Sequence, residues 1–151
     1  ELDALVSPRP PSCFEAGHPE VRRLWPDHRE EERRFYRDTG LFPIMHVVAV
    51  RRSLTDRYPW LARNVFDAFG EAKRDAIRDL EQTNFLRVTL PWVDLDEIRG
   101  SMGEDYWPYG VAANRAELAA AIRWSVDEGL SPRDLDPDDL FHPDAREEEE
   151  R

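Results

Sequence analysis

The apolar positions in the middle of the chain predict one long amphipathic helix. Between Pro59 and Glu81 they recur at spacings of three and four, at Leu61, Val65, Phe69, Ala72, Ala76 and Leu80. This spacing places the side chains in one stripe on a helix surface, and proline is favoured at the first helical position. We therefore predict a helix from Pro59 to Glu81 that turns the stripe toward a core.

Capping residues predict a second, polar helix nearer the beginning of the chain. Asp27 is a typical N-cap, and the helix that it opens would continue to about Arg37 and end at Gly40. A shorter helix is predicted from about Asp94 to Ser101, where glycines loosen its end.

A fourth helix is predicted after residue 114. Asn114 and Glu117 stand three residues apart, which is the spacing of a capping box. The helix would end at Gly129, a residue type that is common just past a helix C-terminus. The apolar residues that it would turn inward are Leu118, Ile122 and Val126.

Two segments have the composition of β-strands. Leu2 to Val6 alternate like a strand, and Pro43 to Val50 form a run rich in apolar and β-branched residues. Such an unbroken run is typical of a strand buried on both faces. His46 interrupts it, and a buried imidazole needs either a hydrogen-bonding partner or a chemical role.

Helices that alternate with strands predict an α/β protein. Two strands are too few for a stable independent sheet, so the remaining strands would come from outside this chain. The chain also starts at Glu1, within the alternating segment, which indicates a piece of a longer protein. The apolar residues of the second strand should then be less buried than the pattern implies, either Ile44, Val48 and Val50 or else Met45 and Val47.

The charge of the chain restricts its partners. A formal net charge of −11 argues against nucleic acid or an anionic membrane surface. The acidic run Glu147 to Glu150 is typical of a solvated tail. Cys13 is the single cysteine, which excludes an internal disulfide and fits a reducing compartment, so we expect a cytoplasmic location.

Metal and cofactor motifs are not found in the sequence. The four histidines do not stand at the spacings of the common zinc sites, and no glycine-rich phosphate loop is present. We therefore expect neither a bound metal nor a nucleotide or other organic cofactor.

Six short motifs resemble, in order and approximate spacing, segments of the 4,5-dihydroxyphthalate decarboxylase family. The longer ones are Arg-Pro-Pro-Ser-Cys-Phe at 9–14, Gly-Leu-Phe-Pro-Ile-Met-His at 40–46 and Asp-Tyr-Trp-Pro-Tyr-Gly at 105–110. The shorter ones are Tyr58-Pro59-Trp60, Leu90-Pro91-Trp92 and Gly129-Leu130-Ser131-Pro132. The resemblance covers the chain from about Glu1 to Phe141.

The resemblance implies the fold of the type II periplasmic solute-binding proteins, in which two α/β lobes face each other across a cleft. Members of the family are much longer than this chain, so the chain would be a C-terminal portion whose partner is the missing N-terminal half. Residues 1–14 would end one lobe and cross the hinge, residues 15–141 would belong to the other lobe, and residues 142–151 would form a disordered acidic tail.

The resemblance also implies decarboxylation of a dihydroxylated aromatic acid, which requires a proton donor at the ring carbon that loses the carboxylate. His46 is our candidate for this donor, because histidine titrates near neutral pH. A core histidine bonded to a backbone carbonyl is an equally open interpretation. The three other histidines lie in polar or turn-rich segments and are expected at the surface.

A phthalate-like substrate carries two carboxylates and needs local positive charge. Arg9 lies between Pro8 and Pro10 on a stiff turn, which suits bidentate carboxylate binding. Ser12 and the backbone amides after Pro11 offer further donors. An ordinary surface arginine is the alternative for Arg9, and Cys13 is interpreted as a small buried hydrophobic residue rather than a nucleophile.

Trp107 and Tyr109 flank Pro108 in a segment that cannot be regular helix. We interpret them as two aromatic walls of a substrate site, with the Tyr109 hydroxyl able to donate to a phenolate. Core anchoring of a loop is the alternative. A different function remains open as well, because a solute-binding protein of an uptake transporter would bind an aromatic carboxylate without reacting it.

Overall fold

The computed structural model describes residues 2–81 and 95–146, and every regular element in these ranges is helical. In chain order the elements are α1 Ser12–Glu15, α2 His28–Thr39, α3 Arg52–Arg57, α4 Leu61–Glu81, α5 Leu95–Met102, α6 Arg115–Asp127, α7 Pro137–Leu140 and a 3-10 helix Pro143–Ala145. The chain divides into two units, Glu1–Phe42 and Pro43–Arg151. The predicted boundary after residue 14 stays a prediction.

The predicted α/β fold of the periplasmic-binding-protein type is wrong. No strand or sheet occurs within residues 2–81 and 95–146, and the segments 2–6 and 43–50 carry no regular structure. Their composition favours strands, but a strand is stable only where a neighbour accepts its backbone hydrogen bonds. No such neighbour lies among the described residues, so the local preference is not realised.

The apolar residues of segment 43–50 are exposed, as predicted for a chain that lacks their neighbours. Exposure ranges from 37% for Val50 to 76% for Met45. The set consists of Ile44, Met45, Val47, Val48 and Val50. The prediction of low burial is therefore confirmed for both of the alternative faces.

In the first unit, the capping prediction for α2 is confirmed. The Asp27 carboxylate accepts a hydrogen bond from the backbone amide of Glu30, at 3.1 Å. Gly40 ends the helix with a left-handed backbone (φ 67°), which glycine adopts without steric cost, and its amide donates to the carbonyl of Tyr36 at 2.7 Å. No residue of the described range 2–42 is fully buried, so this unit has no core of its own.

In the second unit, α4 begins at Leu61 and ends at Glu81, close to the predicted bounds. The predicted stripe is covered in part, because Leu61, Val65 and Leu80 are half-buried whereas Phe69, Ala72 and Ala76 are exposed. Covered positions also occur one residue away at helical spacing, at Ala62, Phe66, Gly70, Lys73 and Ile77. The helix packs against α3, which was not predicted, and against the 3-10 helix.

A small core lies in the second unit. Leu95, Val111 and Ala120 are its buried apolar residues in the described part of the chain. Leu118, Ile122 and Val126 of α6 are half-buried, in agreement with the predicted inward face. The motif at residues 90–92 lies outside the described residues. So does Asp94, the first residue of the predicted short helix.

Residues 142–146 fall within the predicted acidic tail, whose disorder stays a prediction. They contain the 3-10 helix, and the carbonyls of Ala145 and Arg146 accept hydrogen bonds from the amides of Val111 and Ala112, at 3.1 and 3.0 Å. The Arg146 guanidinium donates in turn to the carbonyl of Asp138, at 2.7 Å. The acidic run at 147–150 lies outside the described residues.

Candidate functional site

The segment between α5 and α6 holds the site that we consider functional. We call residues 105–110 the aromatic loop, because they contain Tyr106, Trp107 and Tyr109. Glycines at 103 and 110 adopt positive φ angles, 90° and 97°, on either side of these aromatic residues. Since the loop is not helical, its backbone carbonyls need partners from elsewhere in the chain.

Lys73 of α4 contacts the aromatic loop at three points. Its ammonium donates to the carbonyl oxygen of Trp107 at 3.3 Å and lies 3.5 Å from the nearer carboxylate oxygen of Asp105. The same Nζ atom lies 4.8 Å from the centroid of the Tyr109 ring, within the range of a cation–π interaction. The Lys73 side chain is only 10% exposed, although lysine is seldom buried unless it is paired.

Asn114 holds the same loop from the other end. Its side-chain amide donates to the carbonyl of Pro108 at 2.9 Å and to that of Gly110 at 2.8 Å. The residue precedes α6 as predicted, but its side chain does not cap the helix. The capping-box prediction is therefore wrong in its contacts: the Asn114 side-chain oxygen accepts no hydrogen bond from the helix amides, and the amide nitrogen donates to two loop carbonyls instead.

The two predicted aromatic wall residues lie in this one loop, but their surroundings differ. The Trp107 side chain is 51% exposed even though its carbonyl is held by Lys73. Tyr109 is half-buried, and the Lys73 ammonium lies over its ring. The loop therefore presents an indole surface to solvent on a backbone that side-chain hydrogen bonds keep in place.

An ion-pair cluster lies at the α5 side of the loop. Arg99 pairs with Glu81 and lies 3.3 Å from a carboxylate oxygen of Glu104. The hydrogen bond to Glu81 raises the pKa of the Arg99 guanidinium above its ordinary value, so the group keeps its charge at any working pH. The hydroxyl of Tyr106 is buried without a hydrogen-bond partner in the structure.

The structure places His46 in the irregular segment 43–50, where it is exposed. The prediction of a histidine buried in a strand is therefore wrong for this chain, for the same reason that the strand is absent. An exposed imidazole is accessible to a ligand, and its role as proton donor stays a prediction.

Arg9 and Ser12 belong to the first unit, whereas His46, Trp107 and Tyr109 belong to the second. Arg9 is exposed, and its backbone amide donates to the hydroxyl of Ser7 at 3.3 Å, which supports the predicted turn. Ser12 begins α1 and is exposed. The amides of residues 14 and 15 bond to the carbonyl of Pro11, at 3.0 and 3.1 Å, so they are not available to a ligand.

Other expectations for single residues are corrected by their exposure. Cys13 is exposed rather than a buried hydrophobic residue. Trp60 and Trp124 are also exposed, at 58% and 41%.

The motif analysis missed Lys73, and a count of residue types would have revealed it. Lys73 is the only lysine among the 21 lysine and arginine residues of the chain. Lys73 shares the covered side of α4 with Gly70 and Ile77, and no motif includes it.

No group of three or more His, Cys, Asp or Glu residues within residues 2–81 and 95–146 is arranged to hold a metal ion. None of the helices there has the length and apolar character needed to cross a bilayer.

Comparison with known proteins gives one informative result. No protein-family model matches the chain. The chain is 39% identical over 150 residues, or 97% of its length, to the curated 4,5-dihydroxyphthalate decarboxylase of Comamonas testosteroni. The matched region is 45% of that protein, so the chain spans about half the length of the relative.

Proposed function

We propose that the chain is the C-terminal portion of a carboxy-lyase that removes a carboxylate from a dihydroxylated aromatic acid. The observation that supports this proposal is the 39% identity to a 4,5-dihydroxyphthalate decarboxylase, sustained over 97% of the chain. The six motifs of the sequence analysis are spread over the same span. We propose 4,5-dihydroxyphthalate as the substrate and the cytoplasm as the location.

The proposed reaction needs one proton donor and one electron-releasing group on the substrate. A proton is added to the ring carbon that bears the carboxylate, the bond to the carboxylate carbon breaks, and carbon dioxide leaves. The electrons of that bond restore the aromatic ring. The hydroxyl para to the reacting carbon supplies electron density for the protonation, so the substrate itself contributes what a cofactor would otherwise provide.

We assign proton donation to His46 and carboxylate binding to Arg9 and Ser12. His46 is exposed and can reach a ligand, and imidazole transfers protons efficiently near neutral pH. The Arg9 side chain is exposed on a turn that Ser7 helps to fix, and its planar guanidinium can bind one carboxylate through two hydrogen bonds.

We assign ring recognition to the aromatic loop. Half of the Trp107 side chain is exposed, and an indole surface can stack on a planar aromatic acid. Tyr109 is half-buried next to Lys73, so its contribution would be the hydroxyl, which can donate to a phenolate, together with one edge or face of the ring. Two features support a ligand site here: a fixed backbone and an exposed aromatic surface.

We also propose that the rest of the longer protein covers the surfaces that this chain leaves open. The range 2–42 has no fully buried residue, and the apolar side chains of segment 43–50 are exposed. Exposed apolar runs of this kind are typical of surfaces that contact another part of a protein. The catalytic unit would then be the longer protein rather than the 151 residues alone.

The test is the measurement of carbon dioxide release by the longer protein that contains this chain. We expect release from 4,5-dihydroxyphthalate and none from phthalate, which has the same two carboxylates but no hydroxyl to supply electrons. Tight binding of either compound without carbon dioxide release would instead support a binding protein. Release from both compounds would contradict the proposed role of the para hydroxyl.

A further inference from the structure

The side chain of Lys73 ties one helix to the aromatic loop across 34 residues of sequence. Each of the contacts that its ammonium makes there restrains a different part of the loop. The Trp107 contact restrains the backbone, the Asp105 contact restrains the start of the loop, and the Tyr109 contact restrains the orientation of a ring. A single charged atom therefore connects all three parts.

The geometry favours an ammonium over a guanidinium at this place. The Nζ atom has to approach a carbonyl oxygen, a carboxylate oxygen and a ring face at the same time, from a side chain that is 10% exposed. An ammonium is a compact charge whose three hydrogens point in different directions, whereas a guanidinium is planar and donates as a fork. Lys73 is the one lysine among the 21 lysine and arginine residues of the chain.

We infer that Lys73 is a positioning residue for substrate recognition, one that acts through Trp107 without touching the substrate. Its hydrogen bond holds the Trp107 carbonyl and so fixes the backbone position from which the exposed indole projects. The inference rests on the proposed function, since it assumes that Trp107 contacts the aromatic ring of the substrate. It adds a residue that none of the six motifs contains.

The inference is tested by a double-mutant cycle in the longer protein, with kcat and KM measured for carbon dioxide release. Lys73→Met keeps the length of the side chain but removes the charge and the donors. We expect it to raise KM about tenfold and to change kcat by less than about threefold, because ring binding is weakened while the chemical step is not. In a Trp107→Ala background, Lys73→Met should raise KM by less than about twofold further.

A matched control is available on the same helix. Arg78→Met removes one positive charge from α4 at an exposed position, where the guanidinium pairs only with Asp75 at 2.9 Å among the contacts described. We expect kcat and KM of this variant to equal those of the parent. A KM increase like that of Lys73→Met would mean that the net charge of the helix, and not the contact with Trp107, causes the effect.

The outcomes separate the two proposals. If Trp107→Ala leaves KM unchanged, the assignment of ring recognition to the aromatic loop is wrong, and the inference about Lys73 is wrong as well. If Trp107→Ala raises KM but Lys73→Met does not, the loop assignment stands and Lys73 has no positioning role. Equal effects of Lys73→Met with and without Trp107 would also overturn the inference, since Lys73 would then act independently of the indole.

A second variant keeps the test valid if Lys73→Met fails to fold. Asp105 is 47% exposed, so Asp105→Asn removes a charge from the cluster at little risk to the core. It should raise KM in the same direction by a smaller factor, about threefold, and only while Trp107 is present. If Lys73→Met cannot be measured and Asp105→Asn leaves KM unchanged, the inference is contradicted.

Discussion

Arg99 pairs with Glu81, and this ion pair joins α5 to the last residue of α4. The two residues are separated by 18 positions in the sequence, so the pair closes the chain segment between the two helices. Arg99 also reaches Glu104, at 3.3 Å, just before the aromatic loop. Arg99 therefore connects the end of α4 to the residue that precedes the aromatic loop.

Arg99→Met should lower the Tm of the chain, because Glu81 and Glu104 lose their shared cation. The Arg78→Met variant removes a guanidinium from an exposed pair, with both partners 60% exposed, and should shift Tm much less. Thermal unfolding followed by circular dichroism gives both values. Equal shifts for the two variants would mean that the Arg99 cluster contributes no more than an ordinary surface pair.

Asn114→Ala should destabilise the second unit by about 1–3 kcal/mol, since two carbonyls of the aromatic loop lose their donor. Asn114→Asp should be worse, because a carboxylate would face the same two carbonyl oxygens. Urea unfolding measures both changes. Asn64→Ala makes the same side-chain truncation at an exposed position of α4 and should not lower the free energy of unfolding. If Asn114→Ala leaves the free energy of unfolding unchanged, the two hydrogen bonds from Asn114 do not stabilise the loop.

The helix α2 should lose stability in acid through Glu30. Its hydrogen bond from Arg37, at 2.8 Å, lowers the pKa of the Glu30 carboxyl below its ordinary value of 4.5. A carboxyl with a lowered folded-state pKa stabilises the folded state above the unfolded-state pKa and loses this contribution as the pH falls through the folded-state pKa. In Arg37→Met, the titration midpoint of Glu30 measured by NMR should rise toward 4.5.

The exposed segment 43–50 predicts two different results for one pair of substitutions. Met45→Lys and Val47→Lys should change the free energy of unfolding of this chain by less than about 0.5 kcal/mol, because both side chains are exposed, at 76% and 63%. In the longer protein, the same changes should reduce yield or activity if another part of the protein covers them. Unchanged activity and Tm in the longer protein would contradict the proposed cover.

His46→Gln should lower the rate of decarboxylation by the longer protein at least about a hundredfold, while substrate binding falls much less. Glutamine keeps a hydrogen bond in reach but does not titrate near neutral pH. The control is His18→Gln, at an exposed position of the first unit. Turnover within a few-fold of the parent would remove His46 from the mechanism and leave the proton donor to be found.

The sequence predicted elements whose signals are local. Asp27 and Gly40 mark the two ends of α2 through hydrogen bonds that span only three or four residues. The residue types at these two positions are therefore enough to predict the helix. The bounds of α4 followed from its apolar spacing. These features do not depend on what the rest of the chain does.

The features that could not be predicted depend on distant contacts. Segment 43–50 has the composition of a strand, but pairing requires a neighbour that the described residues do not supply. α4 packs against α3 and the 3-10 helix, so the coverage of its residues depends on elements outside its own apolar pattern. Lys73 acquires its role only when α4 and the aromatic loop meet.

The pairing of Val111 and Ala112 with Ala145 and Arg146 has a consequence for how the chain is made. The aromatic loop ends where this pairing begins, yet its partners are synthesised more than thirty residues later. Because a ribosome releases the chain from its N-terminus onward, the amides of Val111 and Ala112 lack these carbonyl partners until residues 145 and 146 emerge. During translation, the proposed recognition surface is therefore completed only after α6 and α7 have left the ribosome.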